Sequence, residues 1–557
     1  MWAAVVLFGF GSGFGTYLHR ATRLPSWFWL PCVFGTTCLV AYGLFFVSFF
    51  NPAIGRAAAL ILWGTSVALF ARVCWRPYMR AMLRQRDAWL PGLLTVVLTG
   101  SYLASALATN ATLNQRFRFA LPPDNLLPLM MAERIADGTY GIGVTPVALD
   151  VDWRSSDRPP VQAAIALAAR TLQVGDPGRF YHFLATWCQM GWVAALYALG
   201  RTLALPRRYL QFAMLAAATS PFFFFNSVYT WPKLLSAWLC VTGLAISIHI
   251  LRGKERSFRA PSSTTAVAVA AGAIALGLLA HGGSAFSVLA APILFIWWKP
   301  WRVIGKATAL TAAVVIMLIV SPWLAYQRLY DPPGNRLLKL HFAGVEQIDS
   351  RGAWEAVRDS YRGLTWSAYL TGRWQNVAQQ GFGTYPIRLD HPIDWVQWQQ
   401  LMRHIPLIGF LCGGFLMLVW TPARSDLPDA SLRLVRQLTW YALATAAIWI
   451  VVMIVPSSTL VHQGSYVMTL LLLFAAAVLT AMLPPWPRRL LLSLHVAMFA
   501  ACYLFSTRTS SPAPVAWRVW TFVEAGVALA AFAVMLRAVP ECNASEFAAI
   551  ERESDAA

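Results

Sequence analysis

The chain has 557 residues, of which 58% are hydrophobic and 12% charged, and a formal net charge of +20. Soluble domains carry about 25% charged residues, so a soluble enzyme, a secreted disulfide scaffold and a disordered chain are all excluded. The Lys and Arg residues are scattered through short stretches between apolar runs, which excludes a nucleic-acid binder and fits the charge bias of membrane proteins.

A bilayer crossing needs about 20 apolar residues. Runs of that kind predict helices near 2–18, 27–49, 57–75, 89–108, 182–200, 209–225, 233–251, 264–281, 284–298, 306–326, 405–420, 437–456, 465–483, 489–506 and 516–536. The predicted fold class is all-α, a polytopic integral membrane protein of about fifteen transmembrane helices. Met1 is followed directly by an apolar run with no basic segment, so no cleaved signal peptide is expected. None of the 8 Cys forms a CxxC pair or a loop cluster, so neither a disulfide framework nor a metal site is expected.

Basic residues give the orientation. Loops holding Arg20/Arg23, Arg72 to Arg86, Arg201/Arg207/Arg208, Arg252 to Arg259, Lys299/Arg302/Lys306, Arg424/Arg433/Arg436 and Arg488/Arg489 alternate with short loops holding only Arg56, Lys233, Arg508 and Arg518. The first set is predicted to be cytoplasmic. The N-terminus and two long segments, 109–181 and 327–404, then face outward, and the tail lies in the cytoplasm. These two segments hold 14 of the 24 acidic residues. Connections of such length are functional or disordered, and their Trp, Tyr and Leu content excludes disorder. Within the second, Ala353 to Ala378 has the spacing of an amphipathic helix on the membrane surface.

The expected organisation is an N-terminal transmembrane module of three helices with a basic loop (1–88) and a core of helices carrying the first outer segment (89–326). The second outer segment (327–404), C-terminal helices (405–536) and a tail (537–557) follow.

The first outer segment contains Pro122-Pro123-Asp124-Asn125, then Met131-Ala132-Glu133-Arg134-Ile135-Ala136-Asp137-Gly138, then Asp150-Val151-Asp152-Trp153 and Asp157-Arg158-Pro159-Pro160. A carboxylate at the mouth of a helix bundle is partly desolvated, which raises its basicity. Glu133 to Gly138 reads as a helix end closed by glycine, and the diprolines stiffen the backbone that presents Asp124 and Asp157. The alternative is that these acids pair with Arg116, Arg118, Arg134, Arg154 or Arg158. Between two predicted spans, Tyr229-Thr230-Trp231-Pro232-Lys233 offers either a point charge for phosphate or a Lys snorkelling beside an interfacial Trp. His281-Gly282-Gly283-Ser284 and His462-Gln463-Gly464-Ser465-Tyr466 place polar groups at helix mouths. There they cap turns or line a phosphate or sugar pocket. The second outer segment adds Trp354, Trp366, Trp374, Trp395 and Trp398 with Arg358, Arg362, Arg373, Arg388 and His391, which stack on sugars and grip anions or anchor an interfacial helix.

The layout resembles the C-type membrane glycosyltransferases, the class of protein O-mannosyltransferases and of transferases that decorate lipid A. The resemblance rests on Asp124, on Ala132-Glu133-Arg134-Ile135-Ala136-Asp137-Gly138 and on Asp157-Arg158-Pro159-Pro160. It covers the first outer segment well and the rest of the chain as a many-helix layout. Two departures stand out: Asn125 replaces a second acid found in many members, and three helices precede the usual start.

The resemblance implies an inner-membrane enzyme with a periplasmic active site. It would move one sugar from a polyprenyl-phosphate donor to a periplasmic glycan, lipid or protein. Asp124 would be the general base, Asp157 and Asp152 would orient the acceptor, and Glu133, Arg158, Lys233, Trp231, His281, His462 and Tyr466 would bind substrate. No cofactor is implied beyond a divalent cation as an open option. The alternatives are a flippase or other transporter of lipid-linked oligosaccharides, with charges near the bilayer midplane, and a polysaccharide polymerase or ligase whose site is carried by arginines.

Overall fold

The computed structural model describes residues 1–107, 125–146, 148–149, 153–252, 261–346, 350–382, 395–420, 427–454, 459–506 and 515–541. Among these the regular structure is helical throughout. Six helical segments are long and apolar enough to cross a membrane: Ser26–Phe50, Pro52–Cys74, Pro177–Thr202, Lys233–Arg252, Lys306–Tyr330 and Asp429–Val452. Further shorter apolar helices, including Gly282–Trp298 and Tyr466–Met482, pack among them. This is the composition of a multi-pass membrane protein.

Every predicted apolar run carries helix, but several are interrupted. The run at 209–225 is two helices, Arg207–Ala218 and Pro221–Val228. Pro221 has no N–H and its ring clashes with the preceding turn, so the chain extends at Ser220 before restarting. The second half is wholly buried. The run at 182–200 is interrupted at Gly191, between Pro177–Met190 and Trp192–Thr202. A Cβ at Gly191 would lie 2.5 Å from the Trp238 indole, so only glycine admits that ring. The amphipathic stretch is also divided, into Ala353–Arg362 and Trp366–Phe382.

The described part of 109–181 is not a simple loop. Leu127–Ala136 ends where predicted, with Gly138 at φ 71, the left-handed conformation that glycine adopts without penalty. Val161–Arg170 follows, and all but its last residue are buried among the helices Trp29–Phe50, Leu127–Ala136 and Pro177–Met190. The first three helices belong to the same packing unit. Their apolar residues join one core with those of the later helices, and Tyr42 donates to the Ile319 carbonyl at 2.8 Å.

Polar contacts sort the chain into two ends. At one, Arg201 pairs with Asp87 at 2.8 Å, Tyr197 donates to the same carboxylate, and Arg201 also reaches the Pro540 carbonyl. At the other, the segments around 153–160, 229–235, 281–284, 326–341 and 460–466 meet.

Candidate functional site

The second end is assembled from five separate stretches of chain. Lys306–Ala325 runs into a five-residue π-turn, Tyr326–Tyr330, a local widening that recurs at functional sites. It delivers the buried Asp331 to Ser155 Oγ (2.7 Å), the Ser156 N–H (3.1 Å) and Arg154 Nη1 (3.4 Å). Gln327 donates to the Ser156 carbonyl at 2.9 Å, and Tyr326 Oη lies 2.7 Å from Ser155 Oγ. Asp331 thus fastens the stretch 326–336 to the stretch 154–157.

Asp157 lies beside it, with its side chain only 1% exposed. Its Oδ2 accepts from the Arg154 backbone at 2.9 Å and from Arg336 at 3.4 Å, whereas Oδ1 is buried with no hydrogen-bond partner among the described residues. Burial pushes this carboxyl upward. The Arg154 N–H, Arg336 and Arg158 oppose that shift, and Asp331 adds to it. Arg158 and Arg336 both lie near Trp153, at 4.3 and 5.9 Å from its ring.

Lys233 is the centre of the second group. Thr230 adopts φ 61, strained for a β-branched residue, and this turn folds Trp231 back against the first residue of the Lys233–Arg252 helix. The Lys233 ammonium sits 4.0 Å from the Trp231 ring centre and 4.9 Å from that of Tyr466. It donates to the carbonyls of His462 and Val461. With 2% of its surface exposed, Lys233 is a buried charge rather than a snorkelling one. Tyr466 donates to Asn226 Oδ1 and to the Val461 carbonyl, both at 2.9 Å, which holds the two mouths together.

His281 caps the following turn, as one sequence reading expects. The Gly283 N–H donates to its Nδ1 at 3.0 Å. Nδ1 must then be unprotonated, and the neutral ring carries its proton on Nε2. That Nε2–H is buried and has no partner among the described residues. Burial holds His281 well below the usual histidine range, helped by Lys233, Arg158, His341 and His462. His341 is pushed down to about 4 by burial, with Arg158 and Lys233 as its charged neighbours. Trp231 contacts the rings of His462 (5.1 Å) and His281 (6.0 Å), and among the described residues its buried Nε1–H has no partner.

Lys233, Trp231, His281, His462 and Tyr466 therefore converge from remote positions, with Arg158 among the charges that act on His281, whereas Asp157 belongs to the group around Asp331 and Arg336. Glu133 does not join them. It stands 3.9 Å from Arg170, which pairs more closely with Asp137 at 2.9 Å. Asp124 and Asp152 lie outside the described residues, as do Arg388 and His391. Arg358 belongs elsewhere too, beside Asp359 on an exposed helix. Asp331, Arg336 and His341 were missed as site residues. Asp331 carried a readable signal, since Asp331-Pro332-Pro333 repeats the acid-and-diproline pattern of Asp157-Arg158-Pro159-Pro160.

Chemically, the cluster offers two cations, Lys233 and Arg158, and two buried N–H donors with no acceptor, His281 Nε2–H and Trp231 Nε1–H. Donors without acceptors among cations suit an oxyanion. Among the described residues no group of three or more His, Cys, Asp or Glu is placed to hold a metal ion. No family model, no curated protein and no solved structure matches this chain.

Proposed function

We propose that the protein is a membrane glycosyltransferase of the C-type fold. Its apolar helices make fifteen crossings of the inner membrane, with the N-terminus in the periplasm and the C-terminus in the cytoplasm. The observation that carries this reading is the orphaned donor set around Lys233, the His281 Nε2–H and Trp231 Nε1–H groups that have no acceptor among the described residues.

In the reaction, the hydroxyl of a periplasmic glycan, lipid or protein attacks the anomeric carbon of a sugar on a polyprenyl phosphate. The new glycosidic C–O bond forms as the bond to the phosphate oxygen breaks. The hydroxyl proton passes to Asp124, and the leaving phosphate keeps the electron pair. Lys233, Arg158, His281 Nε2–H and Trp231 Nε1–H hold its developing charge, and His462 and Tyr466 complete the wall of that pocket. Asp157, beside Arg158, orients the acceptor, with Asp152 on the same segment. The transporter alternative needs its charges near the bilayer midplane, whereas the two outer segments meet one another at one end of the bundle.

The test uses the purified chain in proteoliposomes with a labelled sugar on a polyprenyl phosphate. Asp124→Asn and Lys233→Met are each expected to cut transfer by about 10²-fold or more without loss of folded protein. Retained transfer in Asp124→Asn removes that residue from the mechanism. If the protein moves lipid-linked sugar across the bilayer and forms no product, it is a transporter.

A further inference from the structure

Arg56 is a basic residue of a short loop read as outer, and the reaction scheme above leaves it unused. It opens the second turn of the helix Pro52–Cys74, whose Ile54, Leu60 and Ile61 are exposed. In a chain that crosses a membrane such an apolar flank meets lipid. The Arg56 side chain lines a cavity of about 290 Å³ where four helix ends meet, those of Trp29–Phe50, Pro52–Cys74, Leu127–Ala136 and Val161–Arg170. Leu44 and Leu167 give the cavity an apolar wall, and Arg56, Arg170, Asp137 and Ser48 supply polar groups. A Cβ at Gly55 would lie 2.1 Å from Ser48 Oγ, so glycine lets two of these helices close here.

Most of the polar groups are already committed. Arg170 pairs with Asp137 at 2.9 Å. The Ala53 and Ile54 N–H groups at the helix start donate to Asn51 Oδ1 at 3.0 and 3.1 Å. Arg56 has no carboxylate partner among the described residues. One guanidinium is left over, and Arg56, Arg170 and Asp137 sum to a charge of +1.

The cavity is separate from the Lys233 group. Gln162, in the first turn of Val161–Arg170, donates to the Thr230 carbonyl. Arg170 ends that helix, about 12 Å further along its axis. Phe49, next to Ser48, packs on Tyr326 and Tyr330 at 5.3 and 4.7 Å, which places the cavity at the same end of the bundle.

We propose that this cavity binds the head group of an anionic phospholipid. The Arg56 guanidinium takes the phosphodiester oxygens, whose geometry its fork matches. The lipid's apolar part lies against Leu44 and Leu167 and continues along the exposed flank of Pro52–Cys74. A head group that carries its own ammonium is neutral and gains nothing from the net charge of the lining. A merely snorkelling arginine meets whichever head groups surround it. The proposal needs only the membrane and not the transferase reading.

The experiment titrates the purified chain, in a neutral maltoside detergent, with phosphatidylglycerol or phosphatidylcholine and counts retained lipid by native mass spectrometry. Wild type is expected to hold phosphatidylglycerol at least about 10-fold more tightly, and Arg56→Gln to lose about 10-fold for it. Arg179→Gln removes an exposed charge outside the cavity and should bind as wild type does. Glycerol 3-phosphate, the same phosphoester chemistry without chains, should not displace the lipid. Phosphatidylglycerol with a photoreactive diazirine on its head group should label wild type within 44–59 or 136–171.

Equal retention of the two lipids by wild type overturns the proposal, as does undiminished binding in Arg56→Gln or an equal loss in Arg179→Gln. Displacement by glycerol 3-phosphate assigns the cavity to a soluble phosphoester instead. Should Arg56→Gln fail to fold, the labelling of wild type decides, and label confined to other segments is fatal.

Discussion

Asp331 accepts a 2.7 Å hydrogen bond from Ser155 across 176 residues of sequence, and the same carboxylate takes the Ser156 N–H and Arg154. It joins the stretch that follows the helix Lys306–Ala325 to the stretch that precedes the helix Val161–Arg170. Asp331→Ala takes the acceptor from the buried Ser156 N–H and one of two partners from the Ser155 hydroxyl and the Arg154 guanidinium, which keep Tyr326 Oη and the Pro332 carbonyl. The expected destabilisation is about 2–4 kcal/mol, against about 1 kcal/mol for Ser155→Ala. Thermal unfolding in detergent measures both, and equal small effects would show that this contact is not the fastening.

Arg336→Met removes one of the charges that hold the Asp157 carboxyl down against the upward push of burial. The carboxyl then protonates at higher pH. The acid limb of the kcat/KM profile for sugar transfer is expected to move upward in this variant, with Arg336→Lys intermediate. A limb that stays in place shows that Asp157 does not titrate in the working range.

His341 makes a stability prediction with a definite sign. Its folded value is about 4 against an ordinary 6.5, so between these two pH values the unfolded chain binds a proton that the native chain refuses. Stability from this group is complete above 6.5 and is lost as the pH falls toward 4, with a slope approaching about 1.4 kcal/mol per pH unit. His341→Gln is expected to flatten the melting temperature over that window. A variant as acid-sensitive as wild type would assign the loss to other groups.

The paired helices Ala353–Arg362 and Trp366–Phe382 grip the end of Asp429–Val452. Asn376 donates to the Ile450 and Met453 carbonyls at 3.0 and 2.8 Å, and Tyr369 and Arg373 donate to that of Val451. This satisfies carbonyls that the helix end leaves open. Trp354, Trp366 and Trp374 are left 70–79% exposed, as an interfacial anchor requires. A fluorophore attached through Trp366→Cys should be quenched by brominated lipid, and one attached through Arg358→Cys less so. Equal quenching would place this helix pair off the membrane surface.

Much of the architecture was determined by composition and local chemistry alone. Apolar runs specify helices because each peptide group in lipid must be satisfied within its own segment. Prolines and glycines set where helices stop: the closure at Gly138 was readable, and the break at Pro221 rests on the same rule even though the run 209–225 reads as continuous. The sequence could also nominate Lys233, His281 and His462, because a polar group at a helix mouth carries a cost that invites use. It could not separate a snorkelling Lys233 from a buried one, or a bonded Glu133 from a substrate ligand, since both depend on neighbours far away in the chain.

Only the tertiary structure decided that Asp331 meets Ser155, that Arg336 meets Asp157, and that Arg56 lines one cavity with Arg170. The physical reason is range. Helix formation and capping act over a few residues and leave a local pattern. A hydrogen bond is made only within about 3 Å, and nothing in the intervening chain records which distant group will arrive there.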